Sequence, residues 1–397
     1  MAFQLARRVQ RVRPSPTMSV TARAAALRAD GRDVIGLSAG EPDFDTPEPI
    51  REAAVAAIRA GETRYTPVPG TDALRDAVAA KLARENGLHY GRDEVMVSTG
   101  AKQCLYNLAA AVLDAGDEAI IQAPYWVSYP DIVRLVDGVP EIVETDERTH
   151  FRLTPDTLDA AVSDRTRLLI LNSPANPTGI AYTRDELAAL GEVLQGYPDV
   201  LVASDDIYEH IHWGGAPFAN IVNACPALRE RTVVINGVSK AYAMTGWRIG
   251  YAAGPAPVIT AMARVQSQST SCASSVSQAA ALAALEHGGE AIAPMREAFR
   301  RRHDLLVSRL DALPGVRCRP AEGTFYCFPD CRRLIRELPQ VGDDTALAEW
   351  LLEHAEVAVV PGSAFGLPGR LRFSFATSEE RLSEAVDRIE RCLAEAL

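Results

Sequence analysis

Of the 41 basic residues in this 397-residue chain, only three are lysines: Lys81, Lys102 and Lys240. A chain that otherwise places arginine wherever positive charge is wanted keeps a lysine where an arginine would fail. A lysine amine can lose its proton and condense with a carbonyl as an imine, and a guanidinium does neither usefully. Lys240 stands in Val233-Val-Ile-Asn-Gly-Val-Ser-Lys-Ala-Tyr-Ala-Met-Thr-Gly-Trp-Arg-Ile-Gly-Tyr251. An apolar, strand-like run delivers Ser239 and Lys240 to a loop, and Arg248 follows eight residues after the lysine. An amine with a neighbouring hydroxyl and a guanidinium suits an aldehyde cofactor that carries a phosphate. Lys81, in the helical-looking stretch Leu74 to Glu85, has no such surroundings and reads as a lysine kept by chance.

Other polar residues follow short buried strands in the same way. Val95 to Ser98 reads as a strand that turns through Thr99-Gly100-Ala101 into an apolar helix from Lys102 to Leu113. Glu118 to Gln122, Leu168 to Leu171, Val200 to Ser204, Val233 to Asn236 and the Gly246 to Ala253 region read as further strands. Alternation of strands and helices predicts an α/β fold with a largely parallel sheet. Ligands of such sheets bind beyond the strands' carboxyl ends, where Asn176, Asp205, Ser239 and Lys240 would share a crevice. Beyond about residue 295 the pattern changes to a long charged helix (Met295 to Leu313), strands at Val357 to Val360 and Leu371 to Phe375, and a last amphipathic helix. That is the pattern of a smaller α+β domain.

Composition narrows the function. A hydrophobic share of 47% with 23% charged residues is ordinary for a globular chain of this size, and the length allows two domains. The formal charge of -11 offers nucleic acid and anionic membranes no attraction. No apolar run is long enough to span a bilayer, and the basic start lacks the apolar core of a secretory signal, so a cytoplasmic protein is expected. Seven scattered cysteines, of which only Cys327 and Cys331 lie close together, complete no zinc spacing and read as reduced thiols. His210 and His212, two apart with no matching acid cluster, do not make a metal site.

The run around Lys240 resembles the lysine signature of the class I aminotransferases, of the fold type I pyridoxal-phosphate family. Four other segments match in the expected order: Ala39-Gly-Glu-Pro-Asp-Phe-Asp-Thr-Pro47, Pro124-Tyr-Trp126, Asn172-Ser-Pro-Ala-Asn-Pro-Thr-Gly179 and Ser204-Asp-Asp-Ile-Tyr-Glu209. The likeness runs from about Val9 to the C-terminus. It implies a large domain over 51–295 with a mostly parallel seven-stranded sheet, and a smaller domain from 1–50 and 296–397. It implies pyridoxal 5'-phosphate held as an imine on Lys240, which then moves the proton at the substrate Cα. Asp205 would pair with the pyridine nitrogen, its spacing to Tyr208 selecting it over Asp206. Tyr208 and Asn176 would bond the ring's phenolic oxygen, and Trp126 would stack on the ring. The Gly100-Ala101-Lys102 turn, with backbone N–H groups at a helix start, would join Ser239 and Arg248 around the phosphate. Tyr65 resembles a tyrosine that the family supplies from a neighbouring subunit, which implies a homodimer.

For the substrate, the resemblance makes Arg372, rather than Arg370, the clamp for the α-carboxylate, with Gly40 and Asn176 beside it. Lys102 and Thr17 match the residues with which prokaryotic aspartate aminotransferases hold a second carboxylate. A lysine at a helix start opposes the dipole unless an anion sits there. The activity expected is therefore transfer of the amino group of L-aspartate to 2-oxoglutarate. An aromatic amino acid or prephenate aminotransferase shares the same clamp and is the alternative. Where some relatives that act on prephenate carry lysine, this chain has Arg13, which puts that activity in doubt. A pyridoxal-phosphate lyase would show no keto-acid exchange. A non-catalytic regulator on this fold would carry an added DNA-binding domain, and an α/β protein without cofactor would form no borohydride-reducible adduct on Lys240.

Overall fold

The computed structural model describes residues 4–12, 14 and 16–397. Twelve strands were found among them. In chain order they are β1 (Ile35–Gly36), β2 (Val95–Ser98), β3 (Glu118–Ala123), β4 (Val139–Glu144), β5 (Thr166–Asn172), β6 (Leu201–Asp205), β7 (Thr232–Gly237), β8 (Gly250–Ala253), β9 (Tyr326–Cys327), β10 (Val357–Ala358), β11 (Val360–Pro361) and β12 (Leu371–Ser374). Seven form one sheet in the order β2-β8-β7-β6-β5-β3-β4. All run parallel except β8, which is antiparallel to both its neighbours. β2, β7 and β8 are buried along their whole lengths, which is why they read in the sequence as continuous apolar runs.

The reversal of β8 builds one corner of the site. Gly250, its first residue, lies opposite Ser98 of β2 on one side and Gly237 of β7 on the other. Three segments therefore meet at the same sheet edge: the turn after β2, the Ser239-Lys240 loop after β7, and Arg248 just before β8. Gly250 is required there, because a Cβ on it would strike the backbone of Gly100 and Ala101.

Two of the apolar cores frame the site from the sheet and from the C-terminal part of the chain. One packs Leu74, Val78 and Leu82 of helix Asp72–Asn86 against sheet residues such as Val97, Val202 and Val234. The other joins Ile35 and Leu37 to Phe299, Phe325, Phe373 and Phe375. Helices Gly289–Asp311 and Glu379–Ala396 cover this second core, with β9, β11 and β12 as a small antiparallel sheet. The first of these helices begins six residues before the Met295 start expected from the sequence, and continues through Pro294. β4 was not expected at all. No helix among the described residues is long and apolar enough to cross a membrane.

Candidate active site

A cavity of about 450 Å³ opens along the carboxyl ends of the parallel strands, between the large sheet and the second core. It is lined by Gly40, Ala101, Lys102, Trp126, Asn176, Asp205, Tyr208, Ser239, Lys240, Arg248, Arg372 and Thr17. Of the expected site residues, only Gly100 and Tyr65 are missing from its wall. Gly100 sits just behind, at φ +86°, where a Cβ would collide with the Arg248 guanidinium. Tyr65 is 92% exposed on the outside of this chain. Arg13 lies outside the described residues.

Lys240 hangs from the loop after β7, its Nζ donating to the Gly40 carbonyl at 2.5 Å and lying 5.9 Å from the Tyr208 ring centre. Burial, with the Arg372 and Arg248 guanidiniums nearby, lowers its pKa from 10.5 to about 8, although Glu41 and Asp205 pull the other way. The amine is thus closer to its free, nucleophilic form at neutral pH than an ordinary lysine.

Asp205 ends β6. Burial pushes its carboxyl up to about 6, against the hydrogen bonds from Tyr129 and the Ile207 amide and the charge of Lys240. Tyr129 Oη donates to Asp205 Oδ2 at 2.6 Å, and the Asn172 side-chain amide donates to the Asp205 carbonyl at 2.9 Å. A buried acid held by neutral donors is a position prepared for a cationic partner. The neighbouring Asp206 is turned away, accepting from Ser204 and Asn220, and it is not in the cavity wall.

Tyr208 keeps its phenol neutral, since burial and the Tyr326 hydroxyl raise its pKa well above 10. Its Oη lies 3.2 Å from that of Tyr326. Arg372 is buried beneath them, donating to Asn176 Oδ1 at 3.1 Å and to the Ser38 carbonyl at 2.7 Å, and it lies 4.3 Å over the Tyr326 ring. Its Nε has no hydrogen-bond partner, an unusual state for a buried guanidinium. Arg370, next but one, points elsewhere and pairs with Glu147 and Asp330.

Lys102 also lines the cavity, with its ammonium 4.8 Å over the Trp126 ring. Burial and Arg248 lower its pKa, and it makes no ion pair with the acidic side chains of the described residues. Trp126 meets Tyr129 edge-on at 5.3 Å.

These groups fit pyridoxal 5'-phosphate. The amine, the buried acid and the neutral phenol face one cavity. The start of helix Ala101–Val112 lies beside Ser239 and Arg248, where a phosphate would be held by amide, hydroxyl and guanidinium donors. Tyr129 and Tyr326 were missed in the sequence. Tyr129 lies three residues beyond Trp126, its amide closing a turn on the Trp126 carbonyl at the start of helix Tyr129–Leu135; Tyr326 had no local signal.

The chain belongs to the aminotransferases of class I and II, whose family model matches residues 32–389. Enzymes of this family use pyridoxal 5'-phosphate, and this chain is a transaminase of that kind, on the fold type I architecture. It is 52% identical to the aspartate/prephenate aminotransferase of Nitrosomonas europaea over 99% of this chain and 100% of that one. The aspartate aminotransferase of Rhizobium meliloti superposes with a TM-score of 0.94 at 48% identity, over 99% of both chains. That of Thermus thermophilus, solved with maleate, gives 0.92 at 45% identity over 98% of this chain and 100% of the other.

Proposed function

We propose that this chain moves the amino group of L-aspartate to 2-oxoglutarate, forming oxaloacetate and L-glutamate in two half-reactions at one site. The observation that carries this is a pair of unmatched cations lining the one cavity: Arg372, with an unpartnered Nε, and Lys102, without an acidic partner among the described residues. Both substrates are dicarboxylates, and an amino acid with one carboxylate would leave a desolvated ammonium unpaired. Maleate, named with the Thermus relative, is a four-carbon dicarboxylate as well.

Bound cofactor supplies an aldehyde that captures the amino group and a ring that accepts electron density from the Cα. The protein's residues do the rest. Arg372 takes the α-carboxylate, assisted by Asn176 and the Gly40 backbone. Lys102 and the Thr17 hydroxyl take the distal carboxylate. Lys240 Nζ removes the Cα proton and returns one in the reverse half-reaction. Asp205, steadied by Tyr129, holds the ring nitrogen in its protonated form. Tyr208 would donate to the phenolic oxygen, Trp126 would cover the ring face, and Gly100, Ala101, Lys102, Ser239 and Arg248 would hold the phosphate through their backbone or side chains.

Around this site we place a large domain over 51–295 and a smaller one from 1–50 and 296–397; the joint packing of Ile35, Leu37 and Phe299 supports it. The working unit is a homodimer in which the partner's copy of Tyr65 reaches the phosphate. The seven unpaired cysteines suit the reducing cytoplasm. Prephenate is a second acceptor to consider, because the Nitrosomonas relative is named for it.

Steady-state rates with Asp, Glu, Ala, Phe and Tyr as donors, and with prephenate as an added acceptor, test the assignment. Asp and Glu are expected to lead, and Lys102→Met to lower kcat/KM for Asp about 100-fold while sparing Ala. Strong preference for an apolar donor would sink it.

A further inference from the structure

Lys81, whose helical surroundings suggested a lysine kept by chance, is fully buried. Its Nζ is paired with Glu209, donates to Asn86 Oδ1 at 2.8 Å and lies 3.5 Å from Glu85 Oε2. Two hydrogen-bond acceptors and a third carboxylate at ion-pair distance surround one compact ammonium, an arrangement that a planar guanidinium does not reproduce. This explains why a chain so rich in arginine keeps a lysine here. The ammonium also takes the cationic place among Glu85, Glu209 and His210, which could otherwise hold a metal ion.

Glu209 is the hub of this cluster. Besides Lys81 it accepts from Asn86 Nδ2 at 2.6 Å and from Asn236 Nδ2 at 2.7 Å. Asn236 belongs to β7, the strand that ends two residues before Ser239 and three before Lys240. Glu209 itself follows Tyr208 directly, in a loop closed by hydrogen bonds from the Glu209 amide to the Asp206 carbonyl and from the Ile211 amide to the Tyr208 carbonyl. One carboxylate therefore ties the loop carrying Tyr208, just after Asp205, to the strand that leads into Lys240. Burial works against its charge, but Lys81, His210 and Asn86 together hold its pKa below the ordinary range. The titratable groups facing it are Lys81 and Glu85 from helix Asp72–Asn86, Asp206 and His210 from its own loop, and Tyr242 and Tyr251.

We propose that Lys81 and Glu209 are positioning residues for the transamination, setting the distance between Tyr208 and Lys240 from behind the cavity through Asn236. A buried ion pair contributes little net stability compared with apolar residues of the same volume. Its placement between the two loops that carry the acid, the phenol and the amine gives it a different use. A shift of about 1 Å in a reacting group can cost 100-fold in rate. The inference rests on Tyr208 and Lys240 facing the cofactor as assigned above, and not on the identity of the donor.

The test uses the cofactor-loaded enzyme and the neutral double variant Lys81→Met/Glu209→Gln, with Asn236→Ala as a second variant that cuts the tie and leaves the charges paired. Both are expected to retain cofactor and to fold. The pH midpoint of the bound cofactor's visible band should move by at least about half a unit. The kcat should fall roughly tenfold, with KM for the amino acid changed less than about twofold. Should the double variant fail to fold, Asn236→Ala decides alone. A lowered melting temperature with midpoint and kcat unchanged would mean a merely structural pair and overturn the proposal. A wild-type preference for another donor alongside the spectral shift would remove the aspartate assignment and leave this inference standing.

Discussion

The lysine proposed to carry the cofactor is also the one whose acidity the site alters most usefully. Lys240 titrates near 8 because burial and two guanidiniums disfavour its charged form. The sign follows directly: below that pH the ammonium dominates and cannot attack an aldehyde, and above it the free amine is present. Capture of pyridoxal 5'-phosphate by the apo-protein, followed by absorbance, should therefore accelerate as pH rises through about 8 and level off above it. A rate still climbing toward 10.5, where an unperturbed lysine titrates, would show that the cavity does not depress this amine. Lys240→Ala should bind the cofactor without covalent attachment, so borohydride should add no mass to the protein. Near-normal turnover by that variant would defeat the assignment of Lys240 as the proton carrier. Lys81 teaches the opposite lesson at this scale. Its neighbours Leu74, Val78 and Leu82 are all buried on one helix face, so a lysine on that stripe was a legible sign of a buried partner. The partner itself, 128 residues away, was not.

Among the elements, β8 carries the most testable geometry. Its first residue presses against the start of helix Ala101–Val112, where the proposed phosphate donors lie. Gly250→Ala would drive a Cβ into the Ala101 amide, with only backbone to yield. The expected result is at least about tenfold weaker cofactor binding and a melting temperature lowered by several degrees. Gly246→Ala meets nothing within 4 Å and should change neither quantity, so apo-protein titration of the pair separates packing from general loop damage. The existence of β2, β3, β5, β6 and β7 was legible because each is a short run of buried apolar residues. Their order was not, since pairing depends on contacts far apart in sequence. β4 escaped notice for a physical reason: it is an edge strand, carries Pro140, and shows intermediate or exposed residues throughout. The β8 region was drawn too long at its start, because Thr245–Trp247 form a tight helical turn. Tyr326 reaches the cavity only through the packing of the second core, so no local pattern pointed to it.

For the whole molecule, Tyr65 is the residue that bears on assembly. Its loop is firmly held: the Thr66 amide donates to Cys272 Sγ at 3.4 Å, Gln278 Nε2 to Thr66 Oγ1 at 2.9 Å, and the Val97 amide to the Pro69 carbonyl at 2.8 Å. Yet the tyrosine stands 92% exposed, and Met18 and Ile58 are also more than half exposed. An aromatic held rigidly in solvent gains nothing from its fixed position unless another surface covers it. If a second copy does so and receives Tyr65 into its cavity, two damaged chains should repair each other. Lys240→Ala is expected to be inactive, and Tyr65→Ala to bind cofactor at least about tenfold more weakly. In a hybrid dimer one site lacks both residues and the other has both. Random reassortment of equal amounts makes half of the dimers hybrid, so about a quarter of wild-type activity should return at a cofactor concentration too low for Tyr65→Ala alone. If Tyr65 acted within its own chain, every hybrid site would lack one of the two residues and nothing would return. A monomeric mass in sedimentation at assay concentrations, with full activity, would exclude a shared site altogether.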